Sequence, residues 1–255
     1  MAPKVSRSAF QGVWTVLRFN WHLHALALAL VGVLLVSAFY LPAPARIVAF
    51  LATLAAFLPL PISLAATWVA YDASGLYELS WLAPMLVGAR RGANLHAGFD
   101  ETTPVLQATF PSIDWKVLDF YDPSKHTEIS IRRARKAYPP APDTVPIRTD
   151  TILLPDARLD VALLFLAAHE IRDAAERAGF FRELRRVLRP GGRVILTEHL
   201  RDLPNILAYS IGAWHFLPRS EWLATFEAAG FHVVGGLRNN PFITTFVLRA
   251  DENPH

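Results

Sequence analysis

Two long uncharged runs dominate the first third of the chain. From Phe19 to Ala45 there is no Asp, Glu, Lys or Arg, and after Arg46 a second such run extends from Ile47 to Tyr71. A helix needs about 20 apolar residues to cross a bilayer, so each run suffices. The connection Leu41-Pro42-Ala43-Pro44-Ala45-Arg46 predicts a tight turn, because proline ends one helix and starts the next. Pro59 and Pro61 predict a kink in the second run. Before the first run, Phe10, Val13, Trp14, Leu17 and Trp21 recur at helical spacing. That stripe either lies along the membrane interface or extends the first helix. Lys4, Arg7 and Arg18 precede the hairpin and Arg90 and Arg91 follow it, whereas the turn carries only Arg46. The positive-inside rule then places both termini in the cytosol, with the hairpin in the inner (cytoplasmic) membrane. The expectation is a transmembrane helical hairpin over residues 1–75, not a cleaved leader and not a buried helical pair.

From about Ser74 the pattern changes to short strands alternating with amphipathic helices. Strands are predicted at Ala93–His96, Trp115–Tyr121, Val145–Arg148, Val161–Leu166, Arg193–Glu198, Phe231–Gly235 and Thr244–Arg249. Helices are predicted at Thr102–Phe110, Lys125–Lys136, Ala174–Leu188 and Glu221–Ala229. Such alternation implies an α/β domain over 76–255, with a Rossmann-like, doubly wound, mostly parallel sheet. The last two strands, joined by a short connection, predict an antiparallel edge.

Composition narrows the chemistry. Cysteine is absent, which excludes disulfides, thiolate metal sites and cysteine nucleophiles. The net charge is only +3, and no dense basic stripe of the kind a nucleic-acid surface needs is present. Arg132, Arg133, Arg135 and Lys136 read as a solvated helix face. His22 and His24 lack a third ligand nearby, so no metal site is expected.

Three segments carry a family resemblance. FFRELRRVLRPGGRVILTE (residues 180–198) runs from a helix through Pro-Gly-Gly into a strand ending in an acid. LPDARLDVALLFLAAHEIRD (154–173) precedes it, and FLPRSEWLATFEAAGFHVV (216–234) follows. Together they resemble the class I S-adenosylmethionine-dependent methyltransferases, of the type 11 kind, across roughly Asn94 to Arg249. The resemblance implies S-adenosylmethionine as cofactor. It also implies a loop after the first strand that approaches the cofactor's amino-acid end. That loop usually reads GxGxG; here it reads His96-Ala97-Gly98-Phe99-Asp100, and only Gly98 is kept. An acid at the end of the second strand would accept hydrogen bonds from the ribose. Asp119 and Asp122 both fit that place. Asp150 and Thr151 stand where the family often places a side chain near the adenine.

Methyl transfer from a sulfonium depends mainly on holding the acceptor in line in a dry pocket, with a base needed only for a protonated acceptor. Candidates follow the carboxyl ends of strands: His169 and Glu170, Glu198 and His199, and His215, with His169 first as a neutral imidazole. A hairpin would keep such a pocket at the bilayer, where a quinone, isoprenoid or lipid acceptor resides. Two other readings stand beside this one. A membrane scaffold could keep the fold without the reaction, and a nicotinamide-dependent oxidoreductase would need a GxGxxG that the chain lacks.

Overall fold

The computed structural model describes residues 7–250. Helix α1 (Gln11–Phe39) leads through a short turn to α2 (Ala43–Phe57) and α3 (Pro59–Trp68). Proline opens the first turn of both α2 and α3, where its missing N–H costs nothing. Gln11–Phe39 and the continuous path Ala43–Glu78 are long and apolar enough to cross a membrane, and 6% of each apolar window is buried. Helices α2 and α3 meet at Leu58, which keeps helical angles directly before Pro59, so the path is divided where the prolines lie. A further break falls in α1, where Asn20 departs from helical angles (φ −113°, ψ 18°). Lys4, part of the expected basic flank, lies outside the described residues.

The sheet comprises β1 (Arg91–His96), β2 (Asp114–Asp119), β3 (Val145–Pro146), β4 (Leu159–Phe165), β5 (Leu188–His199), β6 (Phe231–Asn240) and β7 (Ile243–Ala250). Its order is β3-β2-β1-β4-β5-β7-β6. β1 to β5 run parallel, and β7 pairs antiparallel with both β5 and β6. The expected antiparallel pair is present. Its last strand is inserted between β5 and β6, an order that short-range patterning does not specify.

Alternate residues of the central strands feed two separate cores, as the two-residue period of a strand requires. Ala162 and Leu164 face Phe180, Phe181 and Leu184 of α6 (Ala174–Val187) and Trp222 and Phe226 of α8 (Arg219–Ala228). Val161, Leu163 and Phe165 face the other way, onto Leu106 of α4 (Thr103–Thr109) and onto Leu76, Leu79 and Leu82. Leu76 and Leu82 belong to tight 3₁₀ turns, and Leu79 joins the two with a left-handed backbone (φ 56°). The segment has no helical period long enough to read, yet it packs on this sheet face. Helices α5 (Ile129–Ala137) and α7 (Leu203–Tyr209) complete the fold. After α6 the chain turns directly into β5, and Gly191 takes the left-handed backbone (φ 75°) in the Pro-Gly-Gly segment.

Candidate functional site

A cavity of about 250 Å³ opens at the carboxyl ends of β1, β4 and β5. Its floor includes Ala97, Leu166, Ala167, His169, Glu170 and His199, and its roof is Gly12, Thr15, Val16, Phe19 and Asn20 of α1. This is the crevice in which open α/β sheets place ligands. Leu166, directly after β4, has φ 52°, a conformation that costs a branched side chain energy and recurs at functional sites. The turn it makes presents the 167–170 segment to the cavity.

The start of α1 is held there by the base of the hairpin. Asp72 accepts hydrogen bonds from the Gly12 and Val13 amides (2.7 and 3.2 Å), so a distant carboxylate caps the helix that no local side chain caps. The crossing is close, since a Cβ on Gly12 would stand 2.5 Å from Tyr71 Cβ. Arg7 lies over the Tyr77 ring (3.7 Å to its centre) and pairs with Glu101 at 3.0 Å. Farther along, Arg133 donates to the Phe19 carbonyl (2.7 Å), beside the break at Asn20. The α5 cations are therefore not simply solvated: Arg133 holds α1, and Arg135 pairs with Asp119. The stripe before the first run starts α1, with Gly12 and Phe19 turned into the protein and Trp14 and Trp21 exposed.

His199 ends β5 and is buried. Its Nδ1 bonds Asn205 Oδ1 (3.0 Å), while the Asn205 amide nitrogen donates to Asp202 and to the Phe242 carbonyl. The amide oxygen is thus the acceptor, His199 carries its proton on Nδ1, and Nε2 accepts the Tyr71 hydroxyl at 2.8 Å. Burial pushes the imidazole down to about 4, against the upward pull of the Asn205 bond, so it is neutral at physiological pH. Its ring stacks on Phe216 at 4.5 Å.

His169 is held differently. Nδ1 lies 2.7 Å from Glu198 Oε2 and Nε2 lies 3.4 Å from Glu170 Oε1. Burial opposes its charge, yet the two carboxylates outweigh burial and bring it up to about 10. Burial likewise opposes the Glu170 carboxylate, but His169 holds it down at about 2. Such an imidazolium has no lone pair with which to act as the neutral base expected from the sequence. His215 completes this corner, its ring centre 4.9 Å from that of His169.

The expected cofactor residues are divided. Ala97 lines the cavity, and Gly98 beside it has φ 88°, with a Cβ there meeting the Tyr121 ring at 3.0 Å. His96 is buried. Its Nδ1 accepts from the Gly98 amide and lies 3.6 Å from Asp119, and Nε2 has no partner among the described residues. Burial lowers its pKa. Asp119 ends β2 beneath the loop, buried, and accepts from Arg135 and from the Tyr121 amide. Asp100 is occupied by the start of α4: Oδ1 accepts from the Thr102 and Thr103 amides, the Thr102 hydroxyl and Asn94 Nδ2. Asp122 forms a surface turn with Ser124, whose bonds lower its pKa. Asp150 and Thr151 lie in an exposed turn closed by an Arg148–Asp150 pair, away from the cavity. Sequence reasoning missed Arg7, Tyr71, Tyr77 and Glu101 on the cavity wall; the only signal was that Tyr71-Asp72 ends the uncharged run.

Residues 121–196 match a family model described as a methyltransferase domain. The ubiquinone/menaquinone biosynthesis C-methyltransferase UbiE of Caulobacter vibrioides is 34% identical over 96 residues, which is 36% of this chain and 37% of that protein. The corresponding protein of Caulobacter sp. (strain K31) is 33% identical over 96 residues. The match spans little more than a third of the length of these curated relatives. A SAM dependent methyltransferase from Aquifex aeolicus superposes with a TM-score of 0.50 at 15% identity, over 74% of this chain and 97% of that one. The mitomycin 7-O-methyltransferase MmcR gives 0.56 at 19%, over 96% and 74%. The fold is therefore that of these enzymes. The expected resemblance to methyltransferases is borne out by the match over residues 121–196.

Proposed function

We propose that the chain is a membrane-anchored S-adenosylmethionine-dependent methyltransferase whose acceptor is a hydrophobic, quinone-like molecule. The observation that carries this reading is the cavity itself. It sits at the switch-point crevice of a methyltransferase fold and is roofed by the first turns of a helix whose remainder is apolar and exposed. An acceptor partitioned in lipid would reach it along that helix. The bilayer reading gains support from α7, which packs beside α3 and leaves Leu203 and Leu207 exposed, and from the 3₁₀ turn after it, which leaves Ile211 and Trp214 exposed. Both termini and the α/β domain then lie on the cytosolic side. The curated relatives named for quinone biosynthesis favour that acceptor class.

The residues at the β1 and β2 ends fit the cofactor. The left-handed Gly98 leaves a cradle that a side chain would fill, His96 Nε2 is an unpaired buried polar atom, and Asp119 lies beneath both. Ala97 and Gly98 would hold the amino-acid end through their backbone, and Asp119 the ribose, with Arg135 moving aside. S-adenosylmethionine supplies a methyl group on a positively charged sulfur. The protein's own part is to orient the acceptor and exclude water. Tyr71 faces the cavity with its hydroxyl proton directed at His199 Nε2, so an acceptor hydroxyl bonded to Tyr71 has a proton route to a neutral imidazole.

Calorimetric titration of the full chain in detergent tests the cofactor, and quinone profiling of membranes with and without the protein tests the acceptor. The expected results are saturable binding of S-adenosylmethionine and a quinone species heavier by one CH₂. Absence of binding to S-adenosylmethionine and S-adenosylhomocysteine at millimolar concentration would leave the scaffold reading.

A further inference from the structure

We propose that His169, Glu170 and His215 form a binding site for a divalent first-row transition ion, zinc foremost. The site does not depend on the methyltransferase reading, because it is built from side-chain geometry alone. One ligand atom from each of the three residues lies within 4.8 Å of the others. Glu170 Oε1 is the hub, 3.4 Å from His169 Nε2 and 4.0 Å from His215 Nε2. Ligands at 2.0–2.1 Å from a tetrahedral zinc stand about 3.4 Å apart, so closure asks for a movement of up to about 1.4 Å in the widest pair.

The outer shell is the stronger argument. Metal-bound imidazoles almost always give their second nitrogen to a carboxylate or carbonyl, which fixes the ring and makes the ligating nitrogen more basic. His169 is arranged this way: Nδ1 lies 2.7 Å from Glu198 and Nε2 turns toward Glu170. His215 Nδ1 stands between Glu128 at 3.1 Å and Arg172 Nη2 at 2.5 Å, so Glu128 backs it alone once Arg172 withdraws.

Charge points the same way. Glu128, Glu170 and Glu198 converge on this corner, and Arg172 is the guanidinium paired with one of them, Glu128, at 3.1 Å. The other two hold the His169 imidazolium, whose proton a dication would displace on binding. Arg172 Nη2 also lies against the His215 ring, 2.5 Å from Nδ1 and 3.2 Å from Nε2, while its Nη1 donates to the His215 carbonyl at 2.6 Å, so it would have to step aside. Its side chain is about 40% exposed, so open solvent is available to it.

The three residues lie on the cavity wall, which leaves the fourth coordination position facing the space where an acceptor would sit. A water or an acceptor oxygen would complete the shell there. Two histidines and one carboxylate with an open position are the ligand set of catalytic rather than structural metal sites, and nitrogen and oxygen ligands without thiolate favour zinc, cobalt or iron over softer ions.

The test uses the full chain in detergent micelles, freed of metal with a chelator and titrated with Co²⁺ and, separately, Zn²⁺. The proposal expects visible Co²⁺ bands of low-symmetry coordination and retention of about one Zn²⁺ per chain on dialysis. His169→Gln and His215→Gln should each abolish the bands while melting curves still show a folded protein. Glu198→Gln, which touches no ion, should weaken Co²⁺ affinity about 10- to 100-fold. His22→Gln should change nothing. Wild-type protein without Co²⁺ bands, or bands that persist in both histidine variants, would overturn the assignment. Titration of the same samples with S-adenosylmethionine reports on the cofactor separately, so failure of either idea is recognisable without the other.

Discussion

Asp72→Ala removes the carboxylate that joins the base of the hairpin to the start of α1. In the native chain this group accepts the Gly12 and Val13 amides and has no exposed side-chain surface. Loss of a helix cap costs about 0.5–2 kcal/mol. A buried amide left without an acceptor costs about 1–3 kcal/mol, although fraying lets water recover part of it. The net effect on local opening of the first turns of α1 is then about 2–3 kcal/mol. Since 1.4 kcal/mol is tenfold, amide exchange in residues 11–20 should accelerate about 30- to 150-fold. Exchange in β4 and β5 should change far less, because those strands are buried in both cores. Hydrogen–deuterium exchange by mass spectrometry on the detergent-solubilised chain reads both regions at once. Asp72→Asn keeps one oxygen acceptor and should fall between wild type and alanine. Unchanged exchange over 11–20 in Asp72→Ala would show that apolar contacts alone hold α1, and equal acceleration everywhere would show that Asp72 supports the whole fold instead.

Three further outcomes follow from the site. Gly12→Val places side-chain carbon where Tyr71 Cβ already stands, so α1 should lift from the hairpin base, destabilising the chain by about 1–3 kcal/mol in thermal or denaturant unfolding; an unchanged midpoint would contradict the close crossing. His199 titrates near 4 when folded and near 6.5 when unfolded, so its contribution is complete above about pH 6.5 and is lost as pH falls through about 4. Denaturant midpoints across that window should fall more steeply for wild type than for His199→Gln, and parallel slopes would count against a neutral buried imidazole. Asp119→Ala should weaken S-adenosylmethionine binding at least about tenfold in calorimetry, the scale of a lost charge-assisted bond, whereas Asp122→Ala should leave it nearly unchanged; the reverse order would make Asp122 the ribose ligand.

The sheet was legible because its strands are short apolar blocks between clear breakers, as at Val161–Leu166 and Arg193–Glu198. The hairpin was legible because charge is absent over long runs. The cover of the second sheet face was not, since Leu76 and Leu82 sit in short 3₁₀ turns and Leu79 in the link between them, without a periodic signature. At the site, strand ends identified the correct neighbourhood for His169, Glu170 and His199. Their roles depended on partners remote in the chain: Glu198 makes His169 a cation, and Tyr71 and Asn205 fix the His199 tautomer. Spacing alone placed Asp100 among cofactor ligands. The structure commits its carboxylate to four donors around the start of α4. Arg133 read as solvated because nothing local reveals that the Phe19 carbonyl lies within its reach.

Helix α1 runs from Gln11 to Phe39 with a break at Asn20, and the ten residues up to that break are also the lid of the cavity. Apolar hairpin and cavity wall are thus not exchangeable modules. A fragment trimmed of residues 1–40 to gain solubility would lose Gly12, Val16 and Phe19 from the wall and leave Asp72 without the amides it caps. Replacing the hairpin with a foreign one would carry the same penalty unless the first ten residues of α1 were retained. Substitutions in that stretch therefore act on an exposed apolar face and on the cavity wall at once, which narrows what either side can accept.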